Sequence, residues 1–561
     1  MKRLTIPRAQ QLRLRENQIF LALTLVVGVL AGLAAVLFSL SIDLATHTFF
    51  GFNPPAWRLF AVPAVVSVGT GMLLAWVFPD VRGSGVPQTK AAFHLHGGII
   101  RPRVPIGKFI TGVLCIGAGH SIGREGPSVQ IGAGLASFVG QRLGLSPARM
   151  KDLVPVGAAG ALSAAFNTPV AAVLFALEEI IGDLNAALIG STVLASVAAV
   201  VVQRSILGNE PLFRVPIYQL QHPAELLAYA ALGVIGGIVS VLFCTGLLRL
   251  RRAFLNLPAS SGTWHPAIGG VGIGLVLIFV PEVMGVGYEH VDQALNGGMV
   301  LRTMVVLGAV KLCATIISYA SGNAGGIFAP SLFIGAMTGG ALGAAVNMIA
   351  PFPTADPGAY ALVGMGVLFA GIVRAPMTSV FMIFEVTQDY QILVPLMLAN
   401  LLSFTISRRY QPVPLYHALL HQDQVHLPGG ARTERSLWTA ADVMSPALSL
   451  IPPERTVQSV WESGVAEQTL AHLVGTDGRL EGVVTARRLK EAVDAGRLAD
   501  AIASLVERPV VHAHPDHSLD LVFERLPQSA GMLPVVKRDN AALLAGVITV
   551  QDIVAFLQSR R

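Results

Sequence analysis

Four glutamates carry most of the chemistry open to this chain, because Glu125, Glu178, Glu179 and Glu385 stand inside or at the ends of strongly apolar stretches. An ionisable group at membrane depth is costly, so one found there is a functional candidate by default. Glu125 lies in Gly123-Arg124-Glu125-Gly126-Pro127-Ser128, which runs on to Ile131-Gly132-Ala133. A second segment, Gly326-Ile327-Phe328-Ala329-Pro330-Ser331 followed by Ile334-Gly335-Ala336, has the same spacing. Each reads G-x-x-x-P-S-x-x-I-G-A and opens an apolar helical stretch. A helix N-terminus presents unpaired N–H groups and the positive end of the helix dipole. Two such ends inside a membrane make a place to hold an anion. The chemistry on offer is anion binding by backbone amides, with a titratable carboxylate at one of the two mouths.

The elements that must position these groups are themselves duplicated. Gly157 lies twelve residues before Pro169 and Glu178 nine after it; Gly364, Pro376 and Glu385 repeat the same spacing. Each block reads as a Gly/Ala-rich helix, a proline break and an apolar helix ending in a carboxylate. A duplicated membrane unit places its substrate between the copies, near the midplane. Glu178 and Glu385 are kept in both copies, which suggests capping or bracing. Glu125 aligns with Phe328 and Glu179 with Val386, so these two break the symmetry and are the functional candidates.

Composition fits such a unit. Of 561 residues, 53% are hydrophobic and only 13% charged, and the mean hydropathy is +0.63. Soluble domains carry about 25% charged residues. The apolar surplus fills residues from about Gln18 to Ile406. Ile19 to Leu40, Leu59 to Val77, Leu226 to Leu247 and Leu301 to Ile317 approach or exceed the length of a membrane span, which takes roughly 20 residues. Segments such as His94 to Arg103 are broken by Gly and Pro, and broken backbone survives at membrane depth only inside protein or beside a water-filled cavity. The net charge of +6 does not point to nucleic acid. Lys2, Arg3, Arg8, Arg13 and Arg15 precede the first span and Arg408 and Arg409 follow the last, which places both termini in the cytoplasm. Cys115, Cys244 and Cys313 lie apart in apolar runs and read as small buried residues. No spacing of Cys or His marks a metal site.

At these residues the chain resembles the CLC family of chloride channels and chloride/proton antiporters. Gly83-Ser84-Gly85-Val86-Pro87 is similar to the family's GSGIP, Gly123 to Pro127 to its GREGP, Gly326 to Pro330 to its GIFAP, and Pro414-Leu415-Tyr416 to its final pore helix. The resemblance covers roughly Arg15 to Leu420. It implies that Ser84, the amides of Ile327 and Phe328, and the Tyr416 hydroxyl bind the anion, with Lys108 and Arg124 adding positive potential. It implies that Glu125 is the gating glutamate: ionised it occupies an anion site, protonated it swings away. Glu179 would be the inner proton-transfer glutamate, present in antiporters and replaced by an apolar residue in most channels. Serine at position 84 favours chloride over nitrate. Lys90, on the same early helix, receives no role. A homodimer with one pathway per subunit is implied as well.

After Tyr416 the composition changes. Residues 421–439 read as a linker, and 440–561 alternate short β-branched and helical runs, an α/β pattern. Gly482-Val483-Val484-Thr485 parallels Gly546-Val547-Ile548-Thr549, and the tail resembles a tandem pair of CBS modules, one at 440–497 and one at 498–561. Thr549 and Asp552 fit the pair that holds an adenosine ribose in such modules, while Arg488 replaces the aspartate in the first. At most one adenine nucleotide is therefore expected, and a ligand-free dimerisation module is the alternative.

The expected architecture is an α-helical polytopic membrane protein with an inverted repeat, plus a cytoplasmic α/β tail. The basic N-terminus spans 1–15, the membrane domain 16–420, and the repeat halves about 16–208 and 222–408. The expected function is chloride transport coupled to proton antiport, in a bacterial inner membrane. No enzyme, resident cofactor or metal is expected in the membrane domain, and its partners are chloride, protons and lipid. A chloride channel of the same fold is the first alternative, and Glu179 argues against it. A CBS-regulated divalent-cation transporter would need intramembrane acidic clusters facing its path. A membrane-anchored nucleotide sensor would leave Ser84, Glu125 and Tyr416 unexplained.

Overall fold

The computed structural model describes residues 8–183, 186–209, 212–213, 215–216, 220–388, 390–425, 427, 438–446, 450–463, 471–507, 510–529, 531–540 and 542–559. Lys2 and Arg3 of the basic N-terminus and residues 428–437 of the expected linker lie outside them. The chain forms two compact units, Met1–Pro428 and Gly429–Arg561.

The first unit is helical. Six of its described helices are long and apolar enough to cross a membrane. Among them are α1 (Arg8–Phe50), α2 (Ala56–Met72) with the turn that continues it, and four that follow the first half's core. The first half continues as α3 (Val86–Leu95), α4 (Arg103–Gly117), α5 (Glu125–Arg142), α6 (Pro147–Phe166), α7 (Pro169–Phe175) and α8 (Ala186–Leu207). The second half repeats the order as α9 (Glu225–Leu255), α10 (His265–Phe279), α11 (Tyr288–Leu295), α12 (Leu301–Ala320), α13 (Phe328–Ile349), α14 (Pro357–Ile372), α15 (Pro376–Thr387) and α16 (Leu393–Tyr410). A last short helix, α17 (Leu415–Gln422), follows.

The repeated sequence anchors have physical jobs. A Cβ on Gly132 would collide with the Gly157 carbonyl, and one on Gly157 with that of Gly132. Gly335 and Gly364 stand in the same relation. Glycine at these four positions lets α5 cross α6, and α13 cross α14, with backbones in contact. Pro169 and Pro376 open α7 and α15 at the first helical turn, where their missing N–H costs nothing. The helix before each break ends near a left-handed residue, Asn167 (φ 58°) and Arg374 (φ 66°). Arginine rarely adopts that conformation. Here its guanidinium donates to the carbonyls of Pro412 and Ser407, both at 3.0 Å. Cys115 and Cys244 are buried, but Cys313 on α12 is exposed, because it lies on the helix face that also exposes Arg302, Val306 and Ala309.

The second unit holds two antiparallel hairpins, β1 (Ala471–Thr476) with β2 (Arg479–Thr485), and β3 (Met532–Val536) with β4 (Leu544–Thr549). Each runs straight into a helix, Ala486–Asp494 or Val550–Ser559. The two cores interleave along the chain. Ala440 and Val443 pack with Leu519, Leu533, Ile548 and Ile553 of the second module. Ile502 and Leu505 pack with Ile451, Val474 and Leu489 of the first. A cut between 497 and 498 therefore does not separate the two cores.

Candidate anion and proton pathway

The starts of α3, α5 and α13 meet. Gly123 and Gly326 exchange both backbone hydrogen bonds, each at 2.7 Å, so the loops feeding α5 and α13 form a two-residue antiparallel bridge. A Cβ on Gly126 would stand 2.7 Å from both the carbonyl and hydroxyl oxygens of Ser84, and 3.2 Å from the Cα of Gly326. Three helix N-termini, two of them from opposite halves, thus aim their free N–H groups into one region. Their combined partial positive charge suits an anion without a cationic side chain in contact with it.

Glu125 is the first residue of α5 and is fully buried. Its Oε1 accepts a hydrogen bond from the Tyr288 hydroxyl at 2.5 Å. Its Oε2 has no hydrogen-bond partner among the described residues and occupies the place a Cβ on Gly123 would need. The amide nitrogen of Ala329, in the first turn of α13, lies 3.2 Å from that place. The carboxylate is therefore seated where the two helix starts meet. Ser84 and Tyr416 are also buried, and neither hydroxyl has a hydrogen-bond partner among the described residues. The Tyr416 hydroxyl is within electrostatic reach of Ser84, Glu179, Tyr319 and Glu125. Ile327 is the residue before α13 and Phe328 its first. The Phe328 ring packs on Phe369, Phe166 and Phe175, at centroid distances of 4.4, 4.8 and 5.8 Å. That apolar collar fixes the start of α13.

Lys108 does not face this region as a free cation. Its buried Nζ donates to the carbonyls of Val81 (2.6 Å) and Gly83 (2.7 Å). Lys311 in the second half does the same to Val283 (3.0 Å) and Gly285 (2.7 Å). Both lysines brace the turn ahead of a helix start. This exposes a further stretch of the repeat: Pro79-Asp80-Val81-Arg82-Gly83-Ser84-Gly85-Val86 matches Pro281-Glu282-Val283-Met284-Gly285-Val286-Gly287-Tyr288. All four of its glycines have positive φ, between 55° and 100°. Arg124 has its guanidinium 5.6 Å from the centre of the Tyr288 ring, a cation–π contact.

The symmetric glutamates cap each other's half. Glu178 accepts from the amides of Met377 (3.2 Å) and Thr378 (2.9 Å), and from the Thr378 hydroxyl, at the start of α15. Glu385 accepts from the amides of Val170 (2.9 Å) and Ala171 (2.7 Å) at the start of α7. Glu179 points elsewhere. It is 5% exposed and its Oε1 pairs with Lys90 Nζ at 2.8 Å. Lys90 thus has a role that spacing alone could not reveal, because its partner lies on a distant element. His417 is within electrostatic reach of Lys90, His94 and His421, so basic groups surround this end of the structure.

In the tail, Asp552 Oδ2 accepts from the Thr549 amide (2.8 Å) and hydroxyl (2.6 Å), and Oδ1 accepts from the Ser445 hydroxyl. Burial alone would raise the Asp552 pKa, but these hydrogen bonds outweigh it and hold the carboxyl below its ordinary range. Oδ1 keeps one lone pair for a further donor such as a ribose hydroxyl. In the first module Arg488 pairs with Glu507 at 2.9 Å instead.

Comparison with known proteins places these features among relatives. A family model described as "Voltage gated chloride channel" matches residues 66–408, and one described as "CBS domain" matches 502–559. The H(+)/Cl(-) exchange transporter ClcA of Vibrio campbellii is 32% identical over 417 residues, covering 71% of this chain and 88% of that protein. Chloride channel protein CLC-e of Arabidopsis thaliana is 32% identical over 424 residues, covering 68% and 59%. The crystal structure of a slow cyanobacterial Cl-/H+ antiporter superposes with a TM-score of 0.65 at 26% identity, over 74% of this chain and 99% of that one. A eukaryotic CLC transporter superposes with a TM-score of 0.66 over 96% of this chain and 98% of its own, and at 20% identity shows the shared fold.

Proposed function

The chain belongs to the voltage gated chloride channel family, and we propose that it exchanges chloride for protons across a membrane, with Glu125 as the gate. The observation that carries this reading is the buried Glu125 carboxylate seated at the junction of two helix starts from opposite halves. Ionised, it sits against the same helix starts that would hold an anion. Protonated, it loses most of its attraction to them and gives way to chloride. One side chain thereby couples a proton to an anion. Ser84, the amides of Ile327 and Phe328, and Tyr416 bind the chloride from the cytoplasmic side. Neutral donors bind weakly enough to permit release.

Glu179 serves as the inner proton-transfer group, drawing protons from the cytoplasmic side. Lys90 pairs with it at 2.8 Å, and a buried pair of this kind orients both partners. The names of the Vibrio exchange transporter and the cyanobacterial antiporter support exchange over passive conduction. Anions and protons moving in opposite directions shift charge in the same sense, so each cycle is driven by voltage at about 2.3 kcal/mol per charge per 100 mV. The protein works as a homodimer in a bacterial inner membrane with both termini cytoplasmic, and performs no covalent step. In the tail, one adenine nucleotide binds at Thr549 and Asp552.

The test is proton movement in liposomes holding the purified protein under a chloride gradient, with valinomycin and potassium clamping the voltage near zero. Chloride-driven uphill proton flux is expected. Chloride flux with no proton flux would make the protein a channel.

A further inference from the structure

We propose that Tyr288 is a positioning residue that latches Glu125 in its seated, ionised state, an inference that rests on the gating role of Glu125. The phenol comes from the opposite half of the molecule. It stands where the repeat places Val86 in the first half, just as Val286 stands opposite Ser84. The hydroxyl has therefore moved by two residues between the copies. In the first half it faces the anion region from position 84; in the second it reaches the carboxylate from position 288.

The geometry selects the ionised carboxyl. Tyr288 donates to Oε1, and a hydrogen bond to a charged acceptor is about twice as strong as one between neutral groups. Donation therefore stabilises the seated carboxylate more than the protonated acid. The ring is held on both sides, edge-on to Phe213 at 5.3 Å and under the Arg124 guanidinium at 5.6 Å. Gly287, directly before it, has a φ of 79°, and a Cβ there would meet the Phe333 ring at 2.8 Å and Lys311 Nζ at 3.4 Å. The turn that aims Tyr288 thus needs glycine and is braced by Lys311. The charged and titratable groups facing Glu125 are Arg124 directly before its helix, Lys311 from α12, Tyr288 from α11 and Tyr416 from α17. Tyr288 is the one among the described residues whose side chain donates a hydrogen bond to it.

Removing the hydroxyl frees the carboxylate to protonate at higher pH. Sign and size follow: losing a donor to the charged form raises the group's proton affinity, by about one pH unit for a bond of this class. The experiment compares chloride and proton flux against pH in liposomes for the wild type, Tyr288→Phe, Glu125→Gln and the double variant. Tyr288→Phe keeps the ring packing, and size-exclusion profiles check assembly. The expected result is a chloride-flux midpoint moved up by about one pH unit in Tyr288→Phe, with the proton-to-chloride ratio unchanged. In the Glu125→Gln background the same substitution should move nothing. Coincident pH profiles for Tyr288→Phe and wild type would overturn the latch and leave the exchange reading intact. A shift that persists without Glu125, or a lost proton ratio in Tyr288→Phe alone, would equally overturn it, since Tyr288 would then act on another group or carry the proton. Continued proton pumping by Glu125→Gln would instead remove the gating role on which the inference stands.

Discussion

The two halves of the membrane unit share a frame and differ in chemistry. Held in common are the lysine braces Lys108 and Lys311, the Gly123–Gly326 bridge, the glycine crossings and the reciprocal caps Glu178 and Glu385. The lysines, the bridge and the caps satisfy backbone groups that a membrane would leave without water, and the glycines let the helices cross in contact. Among the differences are Ser84 against Val286, Val86 against Tyr288, Glu125 against Phe328 and Glu179 against Val386. Every one of these changes a polar group near the junction or at the inner end. Duplication built a symmetric cradle, and asymmetry at positions such as these gave it a direction.

That comparison can be broken by giving one half the other's residue. The largest effect is expected from Glu179→Val, which installs its mate. Proton flux should fall to background while chloride flux continues, as read by a pH electrode and a chloride electrode on the same vesicles. Retained proton flux would show that symmetry-breaking does not mark the proton path. Next come Lys108→Met and Lys311→Met. Each removes two hydrogen bonds from the backbone carbonyls of a turn, and each should lose about 2–4 kcal/mol of stability, by thermal unfolding in detergent. Similar losses in both sharpen the shared-frame view; a large loss in only one contradicts it. Ser84→Val should weaken chloride binding about tenfold, which is about 1.4 kcal/mol, by calorimetry, with stability unchanged. The smallest effects are expected from Glu178→Gln and Glu385→Gln, about 1 kcal/mol each, the cost of a weakened helix cap. An unequal pair would mean that one glutamate does more than cap.

The sequence made the frame legible wherever a repeat preserved residue type. Gly157, Pro169 and Glu178 with their mates revealed the duplication, and the same alignment separated Glu179 from Glu178. What stayed hidden depended on contacts between distant elements. Lys90 looked idle because Glu179, its partner, lies 89 residues away. Lys108 looked like free positive potential because its acceptors are backbone carbonyls, which carry no residue identity. Tyr288 was missed because its stretch shares with 79–86 only a proline, a valine, two glycines and an acid. That pattern, at nearly the offset of the main signature, was the available signal. In the tail, the four residues Ala440–Val443 are too short for periodicity to show which core they join.

The central claim is that Glu125 couples the proton to the anion. The direct measurement is simultaneous chloride and proton flux through wild type and Glu125→Gln in voltage-clamped liposomes. The account predicts uphill, chloride-driven proton movement by the wild type, and chloride movement without protons by the variant, whose side chain keeps the shape but cannot titrate. Proton movement by Glu125→Gln at the wild-type ratio would contradict it.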